Sequence, residues 1–139
     1  MTLTGTARRP RWALFLLALL TAIVLAVAFR TGTAQASNEC GSYEGGGSYC
    51  LTSGNLPKGA WTSDGAVGNL FEVYLHHSWP GSGCVGPVQY SGGKWVFPYG
   101  WKCSTEATVY WEFSTISAAG AIYNAGSAEG SYWFYSFYH

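Results

Sequence analysis

Histidines are the side chains best suited to proton transfer or metal binding near neutral pH. Apart from His139 at its end, the sequence contains only His76 and His77, which are adjacent. Their segment alternates apolar and polar residues and is predicted to be a strand, in which neighbouring side chains point to opposite faces. The two imidazoles therefore cannot readily share one metal ion, and we expect no metal site and no cofactor.

Paired carboxylates can hydrolyse a glycosidic bond when they lie roughly 5 to 9.5 Å apart. Glu106 and Glu112 would be about 20 Å apart along one strand, which is too far. Glu72 and Glu112 could approach each other on neighbouring strands, but both occupy the polar side of an alternating segment and are expected to be solvated. Asp64 lies in a turn-like sequence, and no G-x-S-x-G motif marks a nucleophilic serine. We therefore expect a protein that is not an enzyme.

The most suggestive aromatic segment is 93–103, which holds four aromatic residues and two lysines. If Trp95, Tyr99 and Trp101 are exposed on a loop, their ring faces form a platform suited to sugar rings or to a protein partner. Trp79, which precedes a proline, is a further candidate for this binding surface. The alternative is that these rings are buried and wrap a thin core, and the sequence leaves both interpretations open.

Four cysteines could cross-link the chain: Cys40, Cys50, Cys84 and Cys103. An even number of cysteines in a small exported chain favours two disulfides, and the lack of a C-x-x-C spacing disfavours a zinc site. Four cysteines allow three pairings. We expect Cys40 to pair with Cys50 and Cys84 with Cys103, because each pair brackets a turn-rich segment and needs only local closure.

Residues 1–36 have the order of a secretory signal peptide. Three arginines within residues 8–11 precede an apolar run of 18 residues, 12–29, and Ala34-Gln35-Ala36 supplies a small-x-small cleavage site. We therefore predict a secreted, extracellular protein in which residues 37–139 form a single domain. The apolar run is also long enough to span a bilayer, so a retained membrane anchor is the alternative.

Removal of residues 1–36 leaves an acidic and aromatic-rich domain. All four arginines lie in the removed segment, so three lysines face seven carboxylates and the net charge is −4. A protein that binds nucleic acid or anionic lipid needs a basic surface, so we expect neither nucleic acid nor, after cleavage, a membrane as partner. The 21 aromatic residues of the domain favour a packed core over disorder.

Short alternating segments separated by glycine-rich turns predict an all-β fold. The clearest strand is 69–77, where Phe71, Val73 and Leu75 are expected to share one face. Further strands are expected at 107–113 and 132–138, with one hairpin over 88–97 and another, closed by a disulfide, whose tip is 45–47.

The segment 114–121 is alanine-rich, but Gly120 and two β-branched residues disfavour a long helix, so we expect a loop or a single turn there. A short strand at 121–123 is expected to pair with the last strand through a turn at 124–130. The total of six or seven strands predicts a small antiparallel β-sandwich or barrel, stapled by two disulfides.

The alanine-rich leader, the A-x-A cleavage site, the few charges and the aromatic C-terminus resemble those of small exported actinobacterial proteins. The ending Ser131-Tyr132-Trp133-Phe134-Tyr135 through Tyr138 is similar to the aromatic final strand of lactococcin-type bacteriocins, which are small β-sandwiches that act on other bacteria. The composition also resembles that of the adaptor subunits of the umbrella-shaped toxin particles of Streptomyces. These resemblances imply a secreted bacterial β protein that acts on other bacteria or binds partner chains.

Together these features predict a secreted, non-enzymatic binding or assembly module, such as a subunit of an exported toxin or cell-surface complex. Its expected partner is a secreted protein or a cell-surface glycan, bound through aromatic rings or an open sheet edge. The alternatives are a free-standing antibacterial protein, a protease inhibitor with its loop in 40–50, and a small hydrolase.

Overall fold

The computed structural model describes residues 36–139, and this part of the chain is built from β-strands without an α-helix. The nine strands are β1 (Ser37–Tyr43), β2 (Gly47–Leu56), β3 (Trp61–Ser63), β4 (Gly68–His77), β5 (Gly81–Ser91), β6 (Lys94–Val96), β7 (Lys102–Ser104), β8 (Thr108–Gly126) and β9 (Gly130–Tyr138).

The predicted all-β class is confirmed, and every strand pair is antiparallel. The strand number exceeds the predicted six or seven partly because β3 and β7 have only three residues each. Within residues 36–139, no helix has the length and hydrophobicity needed to cross a bilayer. The predicted signal peptide and its apolar run lie outside the described residues.

One long strand, β8, connects two sheets. Residues 108–118 of β8 pair with β4, and residues 119–126 pair with β5. The first sheet therefore has the order β1-β2-β9-β4-β8, and the second contains β3, the later part of β8, and β5, which also pairs with β6 and β7. β8 thus leaves one sheet and enters the other at residues 118–119.

The main core lies between the facing sides of the two sheets. β9 supplies the fully buried Phe134, β4 supplies Leu75, and the second sheet supplies Val85 and Ile122. Strict alternation along β9 produces this arrangement, since every second residue points inward. The inward residues of β9 are Tyr132, Phe134, Ser136 and Tyr138.

The prediction that Phe71 shares one face of the strand with Val73 and Leu75 is wrong. Relative to β9 the register of β4 shifts between Leu70 and Glu72, so β4 contains one extra residue at Phe71, and the pairing of β4 with β8 is irregular at the same place. A β-bulge of this kind reverses the alternation on one side of it. As a result Leu70 is fully buried beside Val73, while Phe71 is only half-buried.

The prediction of a loop at 114–121 is also wrong, because this segment continues β8. Glycine at position 120 allows β8 to lie close to β9, because a Cβ atom at this position would collide with the side chain of Ser136 in β9. The predicted pairing of 121–123 with the last strand is wrong as well. Ala121 pairs with Ser63 of β3 and with Gly86 of β5.

The two predicted disulfides are confirmed, and each joins directly opposed residues of two antiparallel strands. Cys40 pairs with Cys50 across β1 and β2, and Cys84 pairs with Cys103 across β5 and β7. Disulfides persist in oxidising compartments, so this pairing fits an oxidising environment for the folded domain.

Both predicted hairpins are confirmed. In the β5–β6 hairpin, Ser91 pairs with Lys94, and the two residues between them are glycines with φ of 61° and 79°. Two consecutive residues with positive φ are the requirement of a type I′ turn, which glycine meets without strain. In the β1–β2 hairpin, Tyr43 pairs with Gly47, which places the predicted glycine tip at the turn.

Asp64 was expected in ordinary turn chemistry, and it does accept a hydrogen bond of 3.0 Å from the backbone N–H of Ala66. It is also buried, and its other carboxylate oxygen accepts a 2.6 Å hydrogen bond from the hydroxyl of Tyr138. That hydroxyl in turn accepts the N–H of Gly120. The carboxyl therefore links the segment after β3 to β9 and to the crossing point of β8.

Burial raises the pKa of Asp64, and this effect outweighs the hydrogen bond from Tyr138, which lowers it. The carboxyl is held in a site where removal from water disfavours its charged form. Folding therefore favours the protonated form of this group.

The substitution Asp64→Asn tests this arrangement. The stability that the protonated carboxyl contributes is fully present below the unfolded-state pKa, near 3.8, and is lost as the pH rises through the raised folded-state pKa. We expect the free energy of unfolding of the wild type, minus that of Asp64→Asn, to fall as the pH rises above the unfolded-state pKa near 3.8, as measured by urea denaturation. Taking the difference cancels the titration of other carboxylates. A difference that is constant or rises with pH would contradict the assignment.

Candidate functional site

The outward side of the first sheet carries an unusual number of rings. On β9 the residues that alternate with the core positions are Trp133, Tyr135 and Phe137, and the neighbouring strands place aromatic side chains beside them. We call this surface the outer aromatic face. Its rings are Tyr49, Phe71, Tyr74, His76, Tyr110, Trp133, Tyr135, Phe137 and His139.

Strand register aligns these rings in rows across the sheet. In one row Tyr135 of β9 is opposite Tyr74 of β4, which is opposite Tyr110 of β8. In the next row Trp133 is opposite His76. Cross-strand neighbours on one face have Cβ atoms about 5 Å apart, which brings rings of the same row or of adjacent rows within reach of one another.

The rings form one connected array. Trp133 stacks on Tyr74 with 5.8 Å between ring centroids and on His76 with 5.1 Å, and Tyr74 stacks on Tyr110 at 6.4 Å. Tyr135 meets Trp133 edge-on at 5.9 Å. Tyr110 remains 56% exposed and Trp133 37% exposed, so ring surface is available to a ligand.

At one end of the array the rings enclose a shallow hollow of about 560 Å³. Phe71 forms part of its wall because the bulge in β4 turns this ring outward. The side chain of His139 stacks on Phe71 with a centroid distance of 4.0 Å. The hollow is lined by Tyr43, Tyr49, Phe71, Glu72, Tyr135 and Phe137.

Two carboxylates lie in the row that begins with Tyr49 and Phe137. Glu72 is opposite Phe137 on one side and directly opposite Glu112 on the other. Burial raises the pKa of Glu72, and repulsion by the charge of Glu112 raises it further. The two carboxylates therefore do come together, as the sequence allowed, although Glu72 is less solvated than predicted.

The predicted aromatic platform is divided by the structure. Trp79 is 3% exposed, donates its indole N–H to the carbonyl of Ser82, and stacks on His77, so no ring face is free for a ligand. Its assignment to a binding surface is wrong. Tyr99 is 53% exposed and lies 6.5 Å from Trp111, whereas Trp95 belongs to a different cluster of rings.

Trp101 belongs to a second, smaller core on the outward side of the second sheet. There the small side chains of Val88, Ala119 and Ala121 leave room for larger rings above them. Phe97 and Trp101, 4.8 Å apart, fill this space. For Trp101 the alternative that the rings wrap a thin core is therefore the better description.

Trp95 remains a candidate contact residue at the edge of this second core. It is 48% exposed and meets Tyr90 edge-on at 5.1 Å beside a cleft of about 390 Å³. This cleft has two exposed rings, Tyr90 and Trp95, whereas the outer aromatic face joins nine rings into one array. The aromatic face of the first sheet is therefore the stronger candidate site.

The two histidines lie on opposite faces of β4, as predicted. His76 is exposed on the outer aromatic face, and its Nδ1 is 3.3 Å from the hydroxyl of Thr108. His77 is buried, with its ring nitrogens 3.2 and 3.0 Å from the carbonyls of Trp79 and Glu106, and burial lowers its pKa. Among the described residues, no group of three or more His, Cys, Asp or Glu side chains is placed to hold a metal ion.

Sequence reasoning missed the outer aromatic face, although its signal was visible. The run 132–138 is apolar on both faces, a pattern that predicts a strand inside a sheet, and β9 does lie between β2 and β4. Neighbouring strands cover both edges of a central strand, but they do not cover the face that points away from the core. The exposed face becomes apparent only when the layers are known.

No protein-family model and no curated protein matches this chain. Among solved structures, a cupin domain from Bordetella pertussis Tohama I is 11% identical, with a TM-score of 0.36 over 75% of this chain and 94% of that chain. The Drosophila melanogaster CENP-C cupin domain is 11% identical, with a TM-score of 0.35 over 84% and 95% of the two chains.

A protein called CBM4 is 13% identical, with a TM-score of 0.29 over 78% of each chain. These TM-scores are too low to carry an argument about this chain. Its function must therefore be inferred from its own residues.

Replacement of single tryptophans separates core from surface. Because Trp101 covers the second core, we expect Trp101→Ala to lower the free energy of unfolding by about 2 kcal/mol or more. Trp95→Ala should lower it by less than about 1 kcal/mol, because the Trp95 ring is half exposed. Urea denaturation of both variants measures the difference. Equal losses in the two variants would contradict the division of the platform.

Proposed function

We propose that this protein is an exported, non-enzymatic binding module that holds a carbohydrate against its outer aromatic face. The observation that carries the proposal is the connected array of rings across β8, β4, β9 and β2, with Tyr110 and Trp133 exposed. A monomeric domain of this size rarely leaves so many adjoining rings open to water without a partner.

The chemistry of the face suits a sugar polymer. A pyranose ring has an apolar C–H face that can lie on an aromatic ring, and hydroxyl groups at its edge that need hydrogen-bond partners. Tyrosine, tryptophan and histidine offer both an apolar ring and a polar atom at the rim. The rows of rings run across neighbouring strands, so successive sugars of an extended chain would meet successive rings.

The proposed export rests on two features. Residues 1–36 have the order of a signal peptide, and the two disulfides of the domain need an oxidising compartment. The resemblance to umbrella-toxin adaptors and lactococcin-type bacteriocins stays a prediction. A role in an exported toxin complex would use the same surface to attach to a cell-surface glycan.

The absence of catalysis is part of the proposal. Glu72 and Glu112 are direct neighbours on one open sheet face, so both carboxylates would reach the same side of a bound sugar. Glycosidases need their two carboxyl groups to flank the scissile bond. Asp64 and His77 are buried and are held by hydrogen bonds to other parts of the fold.

Retention on insoluble polysaccharides tests the proposal. We expect the protein recovered from culture medium to sediment with at least one of cellulose, chitin, xylan and peptidoglycan. The double variant Tyr110→Ala/Trp133→Ala should bind about tenfold more weakly or worse, because each lost stacking contact costs on the order of 1 kcal/mol.

The matched control is Tyr90→Ala/Trp95→Ala, which removes two exposed rings from the cleft beside the second core. This control should bind like the wild type. Failure to sediment with any of the polysaccharides, or an equal loss in the two double variants, would overturn the proposal.

A further inference from the structure

The hollow at the end of the outer aromatic face combines two kinds of side chain that seldom meet on an open surface. Five of its six lining residues are aromatic, and the sixth is Glu72. A purely apolar ligand would leave this carboxylate without a partner, which is costly for a partly buried charge. The hollow therefore fits a ligand that is apolar in part and carries a group able to pair with a carboxylate.

The electrostatics determine the sign of that group. The charge that acts most clearly on Glu72 is that of Glu112, its direct cross-strand neighbour, and this interaction is repulsive. A bound cation would attract both carboxylates and so offset the repulsion between them. An anionic ligand would be repelled by them and by the net charge of −4 on residues 37–139.

The rings favour the same sign. The face of an aromatic ring is electronegative and attracts an ammonium group within about 6 Å of its centroid. The outer aromatic face already shows this interaction, because the Nζ atom of Lys102 lies 5.4 Å from the ring centroid of Tyr110. Aromatic rings beside a carboxylate together form a recognition site for an organic ammonium group.

The hollow is held in place before any ligand arrives. The backbone N–H of His139 donates to the carbonyl of Asn69, and the His139 ring stacks on Phe71. The hydroxyl of Tyr43 donates a 3.2 Å hydrogen bond to the carbonyl of Tyr138. Binding would therefore require little ordering of the aromatic wall, which favours affinity.

We infer that this hollow binds the free ammonium group of an amino sugar, with Glu72 as its counter-ion and the rings of Tyr49, Phe71 and Phe137 around the sugar. This inference rests on the proposed carbohydrate function and narrows it to polymers with unacetylated amino sugars. Such a polymer supplies both an apolar ring face, which can lie against the aromatic rings, and a positive charge, which can pair with the carboxylate of Glu72.

The test is calorimetric titration with two soluble oligomers of equal length, one of glucosamine and one of N-acetylglucosamine. The wild type should bind the glucosamine oligomer about tenfold more tightly. Glu72→Gln keeps the shape of the side chain and removes its charge. It should abolish this preference by weakening only the binding of glucosamine.

Glu129→Gln is the matched control, because Glu129 lies in the exposed turn before β9 and its replacement changes the net charge equally. It should leave both affinities unchanged. We expect the free energy of unfolding of Glu72→Gln to be at least as large as that of the wild type, because the substitution removes a repulsive pair. This result would exclude misfolding as the cause of weaker binding.

Three outcomes would overturn the inference. Equal wild-type affinity for the two oligomers would leave the carbohydrate function intact but remove the role of the ammonium group. Binding of neither oligomer would overturn the inference. If sedimentation with polysaccharide also fails, the proposed carbohydrate function is overturned as well. Tight binding of a lysine-rich peptide in place of the glucosamine oligomer would assign the hollow to a protein partner.

Discussion

The architecture depends on the close approach of β8 to β9 at Gly120. Here β8 passes from the first sheet to the second, and a side chain larger than hydrogen would collide with Ser136. The hydroxyl of Tyr138 accepts the N–H of Gly120 and donates to Asp64, so backbone and side chains are joined at one buried polar junction. This junction lets one strand serve two sheets and fixes which face of β9 points inward.

The outward faces of the two sheets differ in what covers them. On the second sheet small side chains lie under Phe97 and Trp101, so a loop of the protein itself forms a second core. On the first sheet many of the outward residues are themselves large rings; in the outer aromatic face Tyr110 and Trp133 are exposed, and the other tyrosine and phenylalanine rings are half-buried. A domain of about 100 residues has too little chain to cover both faces. The first sheet is therefore the side on which a ligand can supply the missing cover.

The sequence was sufficient for features that depend on near neighbours. Alternation located β9 and the first part of β8, paired glycines located the β5–β6 turn, and short intervals identified both disulfides. It was insufficient where a distant strand decides the outcome. The bulge at Phe71 appears in the pairing of β4 with β9, and the strand at 114–121 depends on Gly120 meeting Ser136. The candidate site shares this limit, because the exposure of a ring depends on which layer covers it.

The carboxylates of the outer aromatic face are understood best as part of its function. Like charges directly opposite each other on an antiparallel pair are destabilising, and the desolvation of Glu72 adds to that cost. A purely structural face would be more stable with neutral polar side chains at these two positions. On a face that meets a cationic ligand, the same pair disfavours anions and gains an attraction when the ligand binds. The local instability of the free protein and the selectivity of the proposed site then have one physical origin.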